Sequence, residues 1–187
     1  MLYPTEGVWG LGCSPLFPRA VQRIIALKHR DSGKGLILLS NHPDHLSGWI
    51  NTQKPGRFRF ATPTLYRPKS TFAGWRPPTE ANEAQARPTT YVLPARRRIH
   101  PLLTGRFRTL AVRVTRHGPA RALCRNSGGV MTSTSANHSG HRKNPTSRWA
   151  VLRQFGPQVD AIVGAPLGGL SRPSRIFDTV SGQWIRQ

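Results

Sequence analysis

Met131-Thr-Ser-Thr-Ser-Ala-Asn-His-Ser-Gly140 is the stretch on which the fold of this chain turns. An apolar entry, Val130-Met131, runs into Thr132, Ser133, Thr134, Ser135 and Ser139 set around Asn137. Small hydroxyls and an amide donate and accept hydrogen bonds without blocking access, so a strand ending this way lets a ligand approach the backbone closely. A Ser/Thr-rich turn has the same composition. The opening of the chain tips the balance. Tyr3-Pro4-Thr5-Glu6, followed by Gly7-Val8-Trp9-Gly10-Leu11-Gly12, is a second glycine-dense, hydroxyl-bearing segment.

Working outward, apolar period predicts the remaining elements. Pro18 to Lys28 reads as a helix, with Pro18 in the first turn and Val21, Ile24, Ile25 and Leu27 as its stripe. Lys28 and Arg30 then fall at its C-terminal end, where cations offset the helix dipole. Leu36–Ser40 and Thr90–Leu93 read as buried strands. Thr109–Thr115 alternates, with Leu110, Val112 and Val114 on one face and Thr109, Ala111 and Arg113 on the other. Pro119–Arg125 reads as a short helix. Pro145–Phe155 reads as a helix with Trp149, Leu152 and Phe155 inward, and Arg175–Val180 pairs with Gln183–Arg186 across Ser181-Gly182. Intermixed strands and helices predict a mixed α/β sheet with helices packed on it.

The chain has 187 residues, enough for one domain with a real core. Its 28 Lys and Arg against 7 Asp and Glu give a net charge of +21. No carboxylate falls between Glu83 and Asp160, whereas Arg96, Arg97, Arg98, Arg106, Arg108, Arg113 and Arg116 all do. Such a field attracts polyanions, nucleic acid or nucleotide phosphates among them. An arginine-rich composition on solvated faces is the alternative for any single residue. Scarce acids argue against paired-carboxylate and two-metal hydrolysis. Cys13 and Cys124 lack metal or disulfide spacing and read as small buried residues of a reducing compartment. No histidine pair has metal-ligand spacing, and His42 and His45 lie in a polar turn. With no apolar run long enough to span a bilayer and no signal peptide ahead of the first motif, a soluble cytoplasmic protein is expected.

These segments resemble the YrdC/TsaC family of threonylcarbamoyl-AMP synthases. The family reads Tyr-Pro-Thr-Glu, Gly-Leu-Gly, Lys-x-Arg, Ala-Val-Arg-Val and Ser-Thr-Ser-Ala-Asn-x-Ser-Gly. Here the five occur in order at Tyr3–Glu6, Gly10–Gly12, Lys28–Arg30, Ala111–Val114 and Ser133–Gly140. The resemblance covers residues 1–50 and 89–187. It implies a single YrdC-like domain, a twisted mixed sheet with packed helices around a basic concave cleft. Relative to the family pattern the chain starts short, at the first motif. Residues 51–88, rich in Pro and Arg without sustained apolar period, read as a divergent, irregular segment. An insertion, a divergent lineage or a frameshift would each produce it.

The resemblance implies a reaction in which L-threonine, bicarbonate and ATP give threonylcarbamoyl-AMP and pyrophosphate, for threonylcarbamoyladenosine (t6A) modification of tRNA. By motif position, Lys28, Arg30, Lys34, Thr109, Ser135, Asn137 and Arg186 are expected to bind ATP. Thr5, Arg113, Ser133 and Ser174 are expected to bind threonine, with Arg113 on the carboxylate. With few carboxylates to pair it, Arg113 is expected to face a ligand rather than an ion-pair partner. No covalent nucleophile and no protein-held metal are expected; magnesium would be held mainly by the ATP phosphates and water. A tRNA-modifying enzyme that receives the adenylate is the implied partner, with structured RNA as another. The chain departs from the pattern at Gly7, where many members carry a threonine, and at Leu39, where some carry a histidine. Asp31 stands where a proline is usual and sets a negative charge beside a phosphate site. A non-catalytic RNA- or nucleotide-binding relative using the same cleft is the alternative function.

Overall fold

A computed structural model describes residues 1–51, 88–140, 145–170 and 173–187. Among these residues, eight strands join one mixed sheet in the order β1-β2-β6-β3-β5-β4-β7-β8. The strands are β1 (Leu2–Pro4), β2 (Trp9–Leu11), β3 (Ile37–Ser40), β4 (Thr89–Pro94), β5 (Thr109–Val114), β6 (Val130–Ser135), β7 (Arg175–Asp178) and β8 (Gln183–Arg186). β3 with β5 and β4 with β7 run parallel, and the other neighbours are antiparallel. Among the described residues four α-helices accompany it: α1 (Pro18–Leu27), α2 (Pro101–Thr104), α3 (Gly118–Asn126) and α4 (Arg148–Phe155).

Two-residue alternation along the strands separates a core face from a site face. Leu38, Val112, Tyr91 and Phe177 are register partners across β3, β5, β4 and β7. Their side chains join Val21 and Ile24 of α1 and Leu103 of α2 in the largest apolar cluster. One residue along, Ser133, Ile37, Ala111, Val92 and Asp178 are register partners across β6, β3, β5, β4 and β7 on the opposite face. All five line a single cavity. The alternation read in Thr109–Thr115 is therefore the division between hydrophobic core and ligand face.

α3 covers another part of the sheet, where Ala120 and Cys124 pack on Tyr3, Leu39 and Met131. Leu39 is thus a core residue there. Cys124 is buried but Cys13 is only partly so. The predicted helix at 145–155 is corrected in two respects. It begins at Arg148, behind Ser147, whose hydroxyl accepts from Ala150 N at 3.3 Å. Its inward face is Val151 and Phe155, one turn apart, while Trp149 is 74% exposed. Trp149 lies about 200° around the helix from Val151, so both cannot face the core. The irregular segment expected at 51–88 lies, apart from its two end residues, outside the described residues. Among the described residues, no helix is long and apolar enough to cross a membrane.

Candidate active site

The cavity has a volume of about 480 Å³, ample for small-molecule ligands. Thr5, Arg30, Lys34, Thr109, Arg113, Ser133, Ser135, Ser174 and Arg186 all line it, and Lys28 and Asn137 do not. Segments far apart in sequence converge because β6, β3 and β5 are neighbours in the sheet and the β1–β2 turn closes beside them.

The turn carries the opening motif. Thr5 Oγ1 donates to Val8 O at 2.7 Å, a buried contact that shapes the backbone between β1 and β2. Glycine is required just after β2 for packing: a Cβ on Gly12 would lie 2.4 Å from Thr132 O. Tyr3 donates its phenolic proton to Ser133 Oγ at 2.6 Å. Burial drives the Tyr3 pKa well above its usual value, so that donor stays protonated and the Ser133 proton is left to be donated toward the cavity.

Basic residues enter from the loop after α1. Arg30 Nε donates to Gly35 O at 3.0 Å, which ties the guanidinium to the turn that carries Lys34. Burial lowers the Arg30 pKa, countered by the nearby Asp31. Asp31 does not line the cavity, and its carboxylate is engaged: Oδ2 accepts from Arg106 NH2 at 2.6 Å and Oδ1 from Gly33 N at 2.8 Å. The negative charge that replaces the family's usual proline is thereby occupied. At the far wall Arg186 donates from Nε and NH2 to Ser174 O at 2.9 and 2.6 Å. Ser174 Oγ also contacts Thr90 Oγ1 at 2.9 Å, so β4, β7 and β8 are pinned together around that hydroxyl.

Lys28 is 2% exposed and its ammonium donates to the carbonyl oxygens of Ser135 and Asn137. Ser139 N returns a bond to Lys28 O at 2.9 Å. Ser135 Oγ donates to Asn137 Oδ1 at 2.6 Å. Lys28 and Asn137 brace the wall on which Ser135 stands, and only Ser135 of the three lines the cavity.

Arg113 corrects the expectation that it lacks a carboxylate partner. Its NH2 lies 3.6 Å from Glu6 Oε2, with both side chains nearly buried. Glu6 Oε1 accepts from Thr115 Oγ1 at 2.6 Å. Burial raises the Glu6 pKa, but Arg113, Thr115 and backbone amides outweigh it and hold the carboxyl below its usual value. Glu6 was missed from sequence although it ends the Tyr-Pro-Thr-Glu motif and is one of only 7 acids in the chain. The apolar floor of Ile37, Ala111 and Val92 was missed too, since it exists only once the strand order is known. Its signal was the period-2 offset from Arg113 to Ala111 within one strand.

Cations thus stand on several walls of a cavity whose floor is apolar and whose lining also carries hydroxyls. That arrangement suits a ligand with phosphates and a small polar co-ligand. Among the described residues no cluster of acids, histidines and cysteines could itself hold a metal ion.

The Sua5/YciO/YrdC family model, which carries the description "Telomere recombination", matches residues 1–187. The match runs through the middle segment, where the motif resemblance stops. The threonylcarbamoyl-AMP synthase of Thiobacillus denitrificans is 39% identical over 185 residues, covering 98% of this chain and 86% of that protein. Its counterpart in Halorhodospira halophila is 41% identical over 185 residues, covering 99% and 86%. Among solved structures, P. abyssi Sua5 complexed with L-threonine superposes with a TM-score of 0.71 at 26% identity, covering 95% of this chain and 46% of that one. E. coli YciO shares the fold, with a TM-score of 0.67 at 20% identity over 100% of this chain and 83% of YciO. With a family match from end to end and relatives near 40% identity, this chain belongs to the Sua5/YciO/YrdC family.

Proposed function

We propose that this chain is a threonylcarbamoyl-AMP synthase, a single YrdC-like domain that converts L-threonine, bicarbonate and ATP into threonylcarbamoyl-AMP and pyrophosphate. The observation that carries this reading is convergence: residues from all five motifs line one cavity, hydroxyl-bearing or cationic in four of them and Gly10 in the fifth. Relatives that bear this activity in their names cover nearly the whole chain.

In the reaction, an oxygen of threonine carbamate attacks the α-phosphorus of ATP, and the bond to the β-phosphate oxygen breaks to release pyrophosphate. Like charges must be brought together, so the protein's contribution is cations, donors and placement rather than a covalent nucleophile. Arg30, Lys34 and Arg186 hold the phosphates, with Thr109 and Ser135 along the nucleotide. Lys28 and Asn137 support that wall from behind. Arg113 binds the threonine carboxylate, for which a guanidinium offers paired donors, and Ser133, Ser174 and Thr5 shape the amino-acid end. Magnesium rides on the ATP phosphates, since the cavity's acids, Glu6 and Asp178, are engaged by Thr115 and by Ser181 and Val180 N respectively. The adenylate passes in the cytoplasm to a tRNA-modifying transferase.

The test is pyrophosphate release by the purified chain. Release is expected only when ATP, threonine and bicarbonate are all present. Release that ignores threonine, or salt-sensitive RNA binding with no turnover, would replace the synthase with the non-catalytic alternative.

A further inference from the structure

Arg30 and Lys34 line the cavity from a turn that is held by a residue outside its lining, Asp31. Asp31 precedes the single-turn 3-10 helix Ser32–Lys34. Its backbone O accepts from Lys34 N at 3.1 Å, and its side-chain Oδ1 accepts from Gly33 N at 2.8 Å. Oδ2 accepts from Arg106 NH2 at 2.6 Å, and Arg106 N in turn donates to Gly33 O at 3.0 Å. Arg106 thus clamps one side of the turn. Arg30 spans the other, with Nε donating to Gly35 O at 3.0 Å. The Lys34 ammonium makes no hydrogen bond among the described residues, so the backbone of this turn sets where it stands.

The Asp31 backbone has φ of −56° and ψ of 117°, and that φ is the one a proline ring imposes. The Asp31 amide donates no hydrogen bond among the described residues, so a residue without an N–H would forfeit nothing here. Aspartate reaches the same backbone shape by other means, an acceptor for Gly33 N and an ion pair with Arg106. The packing leaves little slack: a Cβ on Gly33 would lie 2.9 Å from Arg106 Nε and 3.0 Å from Asp31 Oδ1. A carboxylate so placed has two opposed effects on an anion held by Arg30 and Lys34. Its charge repels the anion, and the Gly33 amide, Arg106 and Lys34 keep it ionised by holding its pKa below the usual value. The same carboxylate fixes the turn that presents those cations. Its side chain is 46% exposed, so solvent screens the repulsion before it reaches the cavity. The contact to Gly33 N instead acts at 2.8 Å on the turn itself.

Resting on the synthase reading above, we propose that Asp31 is a positioning residue for the ATP phosphates. Through its bond to Gly33 N and its pair with Arg106 it holds the turn at 31–35 so that Arg30 and Lys34 meet the triphosphate. It touches no substrate. A proline would perform the same task by its fixed φ alone, without placing a negative charge beside the site.

Two variants of equal charge isolate the effect. Asp31→Ala and Asp31→Pro both delete the carboxylate, so relief of its repulsion is common to them, and they differ in whether φ is held. Binding of ATP and of threonine is measured by calorimetry on the full chain, and pyrophosphate release gives kcat and both KM values. Asp31→Ala should weaken ATP binding about three- to tenfold and raise the KM for ATP in step, with kcat and the KM for threonine unchanged. Asp31→Pro should bind ATP within about twofold of wild type. Asp31→Ala binding ATP as tightly as wild type, or more tightly, overturns the proposal, because the carboxylate then holds nothing that ATP needs. A proline variant that is as weak as the alanine one, or that does not fold, sinks it too. So does a loss shared by ATP and threonine with a lower melting temperature, the mark of a purely structural residue. The synthase reading fails separately. A wild-type chain that binds ATP yet releases no pyrophosphate with threonine and bicarbonate present ends that reading and leaves the ATP comparison standing; one that binds no ATP ends both.

Discussion

Lys28 shows how a motif residue takes its meaning from where its side chain points. The Lys-x-Arg pattern fixes residue type and order but not the direction of either side chain. In the fold Lys28 caps α1 and turns its ammonium onto carbonyls at the end of β6, away from the cavity. Burial, and after it the charge of Arg30, lowers its pKa to about 8 from 10.5. Between those two pH values the folded chain holds fewer protons than the unfolded chain, so stability rises with pH there. The cost of keeping Lys28 charged is fully present below about pH 8 and is relieved across that window. Burial pushes the Cys124 thiol up to about 12 and raises Tyr3 as well, which acts in the opposite sense. Both groups are shared with a Lys28→Met variant, so they cancel in the difference. Denaturant unfolding of the two proteins at several pH values should therefore show the wild type gaining relative to Lys28→Met, by at most about 3 kcal/mol. A difference that is flat in pH would mean that burial leaves the amine's affinity for its proton unchanged. Glu6 makes the same point from the other side. Its motif was read, but its partnership with Arg113 depends on the β1–β2 turn reaching β5, which no local pattern encodes.

At the scale of elements, β3 to β8 were legible because alternation and short apolar runs are local properties, whereas β1 and β2, three residues each, show neither and were not read as strands. Helices were legible where they are long enough to show a period. α2, from Pro101 to Thr104, is a single turn, too short for any period to appear, and α4 was phased on the wrong large residue. Yet the short pieces hold the side of the cavity lined by Arg30 and Lys34. Gly35 and Gly105 have φ of +58° and +66°, and a Cβ on Gly105 would lie 2.2 Å from Gly33 O. Arg106 N donates to Gly33 O at 3.0 Å and Leu36 N to Leu103 O at 2.9 Å. Two loops are thus laced back to back, and they carry Arg30 and Lys34 to the cavity wall. Gly105→Ala combines an unfavourable φ with a contact to backbone, which cannot swing away. It should cost about 2–4 kcal/mol in denaturant unfolding and raise the KM for ATP. Gly118→Ala is the matched control. It lies in α3 with open space around it, and should be neutral or slightly stabilising.

For the whole molecule, the site is a consequence of strand order. β6, β3, β5, β4 and β7 lay Ser133, Ile37, Ala111, Val92 and Asp178 side by side, an arrangement that sequence spacing cannot show. What sequence does show is the global charge, +21, and the cavity inherits it. Arg30, Lys34, Arg113 and Arg186 line it against Glu6 and Asp178, and Glu6 is already matched to Arg113. The uncompensated field is therefore positive around Arg30 and Lys34, the phosphate end in the proposed assignment, and close to balanced around Arg113. The two substrates sample these ends differently. ATP carries several negative charges, whereas zwitterionic threonine carries none in sum. Raising salt shortens the screening length from about 14 Å near 50 mM to about 5 Å near 400 mM, comparable with the distance across such a cavity. The KM for ATP should then rise severalfold over that range, with the KM for threonine changing by less than about twofold. Pyrophosphate release measured against each substrate in turn gives both values. If the two rise together, salt is acting on the fold as a whole; a shift confined to ATP locates the field at the triphosphate.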